Sequence, residues 1–347
     1  MALRRVAVVA FNLGGPDGPK AVRPFLFNLF NDRAIISAPQ PIRFLLAALI
    51  STLRVPTARA NYAIMGGGSP ILPETQKQAD ALDRALARKL EGAGVEAKTF
   101  IAMRYWKPFA ADAAAAAKAW GADEAILTPL YPQFAGSTTG SAIQAWRQAW
   151  DRPSRTLCCY PDATGFAQAH ADAILKAWRD GGAPENPRVL FSAHGLPKRM
   201  VEAGDPYQWQ VERTVAAVVK LLPAEWEHRI CYQSRVGPLE WLGPATEDEI
   251  RAAGTDQRGV VLSPIAFVSE HVETLVELDH EYGDLAKEAG LPYYLRAPAL
   301  GYAEPFIEAL ADMILCAISD ERPIRSHVGA RICPASFSQC PHAGAAA

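Results

Sequence analysis

The chain has 347 residues, half of them hydrophobic and 21% charged. That is the composition of a globular protein with a sizeable core, and it excludes a disordered one. A net charge of −2 gives no global basic field for nucleic acid, and six cysteines are too few for a disulfide scaffold. The length predicts two domains or two tightly joined lobes.

The first strand, Val6–Phe11, follows the N-terminus almost at once. It leaves no room for a cleavable signal, so the expected compartment is the cytoplasm. An insertion over roughly residues 20–75 carries the apolar segment Ile35–Leu53 with two prolines. Its longest uncharged apolar stretch, Phe44–Leu53, is about half the 18–20 residues that a spanning helix needs, so none is expected. The segment reads as a core helix, a lip over a pocket or a membrane-surface patch. A helix Leu72–Leu90, a strand Thr99–Tyr105, an Ala-rich helix Pro108–Trp120, a strand Ala125–Leu130 and a helix Gly140–Trp150 follow. After the Pro/Gly-rich stretch Gly181–Pro187 come a strand Arg188–Ala193, a helix Gln208–Leu222, strands Arg229–Gln233 and Gly259–Ile265, and a helix Glu270–Ala289.

The strand-like runs are nearly continuous in apolar residues, as strands buried on both faces should be. Their alternation with helices predicts an α/β fold with parallel sheets. Ile126-Leu127-Thr128-Pro129-Leu130 and Val261-Leu262-Ser263-Pro264-Ile265 echo one another, which predicts two similar lobes. The expected division is 1–183, 184–325 and a C-terminal extension 326–347.

Open parallel sheets place their chemistry at the carboxyl ends of strands. His194 stands at such a mouth, and Gly195-Leu196-Pro197 then turns the chain, which suits a base or a metal ligand. After the strand ending at Ile265, Glu270, Glu273 and Glu277 share one face if the segment is an α-helix. With His271 beside them they suit a transiently held divalent cation such as Fe²⁺ or Zn²⁺. A solvated acidic helix start is the other reading. The glycine-rich pieces Asn12–Pro16 and Gly66–Pro70 match neither GxGxxG nor a P-loop, so no dinucleotide site is predicted. Arg104-Tyr105-Trp106, at a strand end, either faces a large aromatic anion or packs a loop.

Taken in order, the motifs resemble those of the ferrochelatase family. They are Asn12–Pro16, GGGSPI at Gly66–Ile71, RYWKP at Arg104–Pro108, the YPQF and STTG pieces of Leu130–Gly140, FSAHGLP at Phe191–Pro197, GDPY at Gly204–Tyr207, the YQSR and WLGP pieces of Tyr232–Pro244, and PIAFVSEHVETLVELD at Pro264–Asp279. The resemblance runs from about residue 6 to about residue 318. It implies two Rossmann-like lobes with four-stranded parallel sheets, and insertion of Fe²⁺ into protoporphyrin IX to give haem. Under it His194 is the base or the metal-presenting group. Glu277 is the carboxylate facing it across the ring, and Glu273 and His271 form the acidic path. Trp241, Tyr105, Phe267, Leu13 and Arg104 line the porphyrin pocket, and Tyr62, Ser69 and Arg54 meet the propionates. Residues 34–53 form a hydrophobic lip at the membrane surface.

The resemblance also carries a cofactor expectation. Animal members place a cluster cysteine where this chain has Gly136, but a bacterial arrangement fits Cys158, Cys333 and Cys340. A [2Fe–2S] cluster is therefore expected, its fourth ligand being His342, Cys159 or another thiol. A non-catalytic porphyrin or haem carrier and a cobalt chelatase of cobalamin synthesis are the alternative functions; His194 and Glu277 favour an enzyme over a carrier. Monomer and homodimer remain open, as does coproporphyrin as substrate.

Overall fold

A computed structural model describes residues 3–235 and 239–344. The chain forms two compact units. The first comprises the residues through Tyr131, then Ala135–Cys158 and Ala311–Arg325. The second comprises Pro132–Phe134, Cys159–Leu310 and the residues from Ser326 on. The units change over at Cys158/Cys159, so the helix Thr164–Asp180 lies in the second.

The first unit contains β1 (Arg4–Asn12), α1 (Val22–Phe30), α2 (Gln40–Ile64), α3 (Ile71–Lys89), β2 (Val95–Met103), α4 (Ala110–Trp120), β3 (Glu124–Pro129), a π-helical turn (Gly136–Gly140), α5 (Ser141–Ala149) and β4 (Ser154–Cys159). The second contains α6 (Thr164–Asp180), β5 (Arg188–His194), α7 (Lys198–Glu202), α8 (Tyr207–Val219), β6 (Glu227–Gln233), α9 (Thr246–Thr255), β7 (Val260–Pro264), a π-helix (Glu273–Glu281), α10 (Tyr282–Glu288) and β8 (Tyr294–Arg296). α11 (Glu304–Ile318), β9 (Ile324–Ser326) and a short 3₁₀ turn (Pro341–Ala343) follow.

β1 pairs in parallel with β2 and β3, and β3 with β4. In the second unit β5 pairs in parallel with β6 and β7, and β7 with β8. The strand orders are β2-β1-β3-β4-β9 and β6-β5-β7-β8. The echoed segments therefore occupy equivalent places, β3 beside β1 and β7 beside β5. The first sheet has five strands rather than the expected four, because the three-residue β9 adds to its edge.

Apolar continuity explains the burial. Val6 to Val9 are fully buried in β1, as are Val189 to Phe191 in β5 and Val260 to Leu262 in β7. The alanines of α4 let it lie close on the first sheet, where Ala113, Ala114 and Ala117 join Val9, Phe11 and Trp146 in one core. In the second unit Leu190, Cys231, Val260 and Leu262 pack against Ile250, Leu278 and Tyr282.

α2 departs from expectation. Its 25 residues make it long and apolar enough, by length and composition, to cross a membrane. Ile42, Phe44, Leu45, Leu49 and Leu53 each expose half or more of their surface. It is not a core helix: its only buried residues are Ala47, Ser51 and Tyr62.

Candidate active site

The chemistry gathers in the second unit at the carboxyl ends of β5, β6 and β7, where an open parallel sheet places it. His194 is the last residue of β5. The turn after it needs a glycine: a Cβ on Gly195 would come within 2.8 Å of the Gln233 carbonyl oxygen and 3.2 Å of the Trp241 ring. Trp241 thus covers the turn that aims the imidazole. The Phe267 ring stands 6.5 Å from the His194 ring and 4.6 Å from that of His271.

His194 Nδ1 lies 2.6 Å from the Gly195 carbonyl oxygen, and Nε2 lies 3.6 Å from Glu273 Oε1. Both ring nitrogens face acceptors, the arrangement of an imidazolium. Burial works against the charge, but the Glu273 carboxylate, the Gly195 carbonyl and Glu277 more than offset it and raise the His194 pKa to about 9. Burial likewise disfavours charge on Glu273, yet His194 and His271 hold that carboxyl well below the usual range. His271 Nε2 is 3.3 Å from Glu273 Oε2, so one carboxylate bridges two imidazoles.

Among the described residues, the carboxylate that pairs with His194 is Glu273. Glu277 lies further along the π-helix and is held by four donors. Ser234 N and Tyr282 Oη reach its Oε1 at 2.8 and 3.0 Å, and Gln233 Nε2 reaches Oε2 at 3.2 Å, alongside the Ser234 hydroxyl. Burial, together with the charge of Glu273, raises the Glu277 pKa despite those donors. Two neighbouring carboxyls are thus pushed apart, one kept ionised and one moved towards proton binding. Gln233, fully buried, also donates to the Glu273 carbonyl at 3.0 Å and pins the π-helix to β6.

π-helices are rare and concentrate at functional sites. The wider turn here brings Glu273 and Glu277 into one line. Glu270 lies before it and leaves the stripe that an α-helical spacing predicts; it pairs instead with Arg296 at 2.8 Å. Ser234 has φ +61, a left-handed conformation unusual for a residue with a side chain. Strain at the residue that binds Glu277 marks the same place.

The sequence model described as "Ferrochelatase" matches residues 5–317. A ferrochelatase of Phenylobacterium zucineum is 58% identical over 338 residues, 97% of each chain. Those of Caulobacter vibrioides and Hyphomonas neptunium are 56% and 54% identical over 340 and 342 residues, covering 97% and 98% of this chain and 97% and 95% of their own. The chain belongs to the ferrochelatase family. It is accordingly a metal chelatase.

The first unit holds the other residues that the ferrochelatase resemblance assigned. Arg104 Nη2 lies 2.7 Å from Asp32 Oδ2, and its Nε donates to Ser141 Oγ at 2.6 Å. Tyr105, 1% exposed, donates its hydroxyl to the same Asp32 at 3.0 Å. The charge of Arg104 is therefore neutralised inside the unit, where it organises a strand mouth. Leu13 donates its backbone N–H to Asn12 Oδ1 at 2.8 Å, just beyond β1. The Arg54 guanidinium lies 6.0 Å from the Phe30 ring, Ser69 Oγ accepts from Ile71 N at 3.4 Å, and Tyr62 is buried near the end of α2. Sequence reasoning missed Asp32, Gln233, Ser234, Tyr207 and Tyr282. Gln233 and Ser234 lie in the quoted YQSR piece and Tyr207 in GDPY, the only local signals for them.

The cysteines divide. Cys158 ends the first unit, while Cys159, Cys333 and Cys340 belong to the second and are buried. Cys340, burial and Cys159 push the Cys333 thiol pKa up, whereas Cys333 and His342 draw that of Cys340 down. Among the described residues no three His, Cys, Asp or Glu side chains converge as a single-ion site. Two paired soft sulfurs with a third nearby nevertheless fit thiolate ligation of iron, in which each iron takes its own pair of ligands.

Proposed function

We propose that the protein inserts Fe²⁺ into protoporphyrin IX to give haem and two protons, with His194, Glu273 and Glu277 as the working groups. The observation that carries this reading is the His194–Glu273–His271 triad at a strand mouth beside an anchored second carboxylate. The chemistry has three needs. The ferrous ion must shed water, the ring must expose its nitrogen lone pairs, and two pyrrole protons must leave.

In the resting pair the imidazolium of His194 neutralises Glu273. A ferrous ion arriving at Glu273 and His271 competes for that carboxylate. The ion pair then weakens, the His194 pKa falls, and the ring gives up its proton and becomes a base. It next takes a pyrrole proton. Glu277, the carboxyl whose proton affinity is raised, relays protons towards solvent. Trp241 and Phe267, both in the second unit, supply flat walls against the ring. Arg54, Tyr62 and Ser69 remain the assignment for the propionates.

Two finer readings accompany this one. A [2Fe–2S] cluster would be held by Cys333, Cys340 and His342 with Cys158 or Cys159 as the remaining ligand. When bound it supplies one-electron redox capacity. Iron and acid-labile sulfide analysis with visible absorption tests it; colourless, iron-free protein prepared anaerobically counts against it. The lip, residues 34–53, contacts an anionic membrane surface from the cytoplasmic side. Support comes from the exposed apolar face of α2 and from local charge, since residues 18–64 hold six Lys/Arg (Lys20, Arg23, Arg33, Arg43, Arg54 and Arg59) against one acid, Asp32.

The test of the main reading is anaerobic incubation of the purified protein with Fe²⁺ and protoporphyrin, following loss of porphyrin fluorescence. Turnover is expected. Tight porphyrin binding without turnover supports a carrier instead.

A further inference from the structure

The tail from Ser326 on does more than carry thiols. It is folded onto the loop and helix that follow His194. Gln339 N donates to the Gly204 carbonyl at 3.1 Å, and Ser338 Oγ and Gln339 Nε2 donate to the Ala203 carbonyl at 3.3 and 3.1 Å. The approach is close enough to demand glycine: Gly204 has φ +96, and a Cβ there would come 2.9 Å from Ser338 N. The Phe337 ring lies 5.9 Å from that of Trp209, and His327 Nε2 is 3.2 Å from Asp162 Oδ1, which also pairs with Arg213 of α8. Arg331 shapes the tail from within, donating to the carbonyls of Cys333, Pro334 and Phe337 at 2.9–3.0 Å.

α8 is the element shared by tail and site. Its inward face buries Tyr207, Gln210 and Thr214. Tyr207 donates its hydroxyl to the backbone carbonyl of His194 at 3.1 Å. One turn on, Gln210 is fully buried; its Nε2 donates to Cys333 Sγ at 3.2 Å and its Oε1 accepts from Phe134 N at 2.8 Å. A turn further, Thr214 accepts at 2.9 Å from Gln133, whose amide also reaches the Ile265 carbonyl beyond β7 at 3.4 Å. A buried carboxamide with both ends satisfied fixes its neighbours in place, because a displaced partner leaves it unpaired at a cost of about 1–3 kcal/mol.

We propose that the tail is a positioning clamp for the catalytic histidine. Cys333 acts through Gln210, and Ser338 and Gln339 through the Ala203–Gly204 loop, to hold α8 where Tyr207 fixes the His194 backbone. The clamp rests on the reading of His194 as the working group, and it makes Tyr207 and Gln210 positioning residues. Whatever alters the Cys333 sulfur, by metal or by oxidation, is then felt at the imidazole.

The test uses full-length protein and three variants, Tyr207→Phe, Gln210→Leu and Gly204→Ala. None of them removes a thiol or a side chain that meets porphyrin or iron. The seven histidines are ¹⁵N-labelled, and His194→Ala assigns the His194 ring signal. The expected result is that Gln210→Leu and Gly204→Ala move the His194 ring resonance in the direction set by Tyr207→Phe. Turnover should fall by about fivefold, the worth of one hydrogen bond, while KM for porphyrin holds. The Tyr207→Phe/Gln210→Leu double variant should shift the signal no further than Tyr207→Phe alone. An unmoved resonance in Gln210→Leu, or additive shifts in the double variant, overturns the clamp; should Gly204→Ala fail to fold, Gln210→Leu decides alone. Full turnover by His194→Ala defeats the catalytic reading separately, since the resonance comparison does not depend on activity.

Discussion

Replacing Glu273 by Gln removes the charge that holds His194 protonated. In the native pair His194 titrates at about 9, so at pH 7.5 only about 3% of its rings are neutral. Without the carboxylate the value should fall towards the ordinary imidazole range near 6.5, making about 90% neutral at the same pH. That is roughly a thirtyfold gain in the basic form. The sign is that of a raised histidine: the pair's contribution to stability is full below the unfolded value and fades as pH rises through about 9. Glu273, held down, contributes above its own unfolded value and loses that contribution in acid. The assay is an imidazole ¹⁵N titration of substrate-free protein, with and without Glu273→Gln. Activity is not the readout, because the same substitution removes the carboxylate proposed for the iron path. A His194 that titrates at the same pH in both proteins refutes the ion-pair reasoning. One that is already neutral at pH 7.5 in the wild type refutes the resting state assigned here.

Two further outcomes follow from the packing. Glu277→Gln turns an amide N–H towards the donors of Ser234, Gln233 and Tyr282, and should lower unfolding free energy by about 1–3 kcal/mol in urea titration. An unchanged midpoint means that this network does not hold the π-helix. Leu45, Leu49 and Leu53 repeat at four-residue spacing on α2, and each exposes more than half its surface. Changing all three to Asp should leave the thermal midpoint within a few degrees and abolish co-sedimentation with phosphatidylglycerol-rich vesicles. Retained sedimentation removes the membrane-surface role.

Much of this was legible in the sequence because buried parallel strands read as unbroken apolar runs. Those runs located the mouths of β1, β2, β3, β5, β6 and β7, and hence His194. The Thr/Ser-Pro echo was informative because β3 and β7 occupy the same place in their sheets. What stayed hidden was long-range or irregular. A π-helix has no periodic signature of its own, so an α-helical spacing put Glu270 in the acidic stripe and could not show that it pairs with Arg296 while Glu273 pairs with His194. β8 and β9 span three residues each, too short for a pattern. Nothing local joins Asp32 to Arg104, or Gln210 to Cys333, because such pairs form only when distant segments fold together. The apolar lip was visible, but its exposure was not, since composition alone does not distinguish a covered face from a bare one.

Proton handling at His194 is the claim on which the rest depends, and one comparison addresses it most directly: anaerobic iron insertion by wild type and by His194→Ala, with circular dichroism confirming the fold of each. The account predicts that the alanine protein still binds porphyrin but inserts iron slower by orders of magnitude. Wild-type turnover by the alanine protein would contradict it.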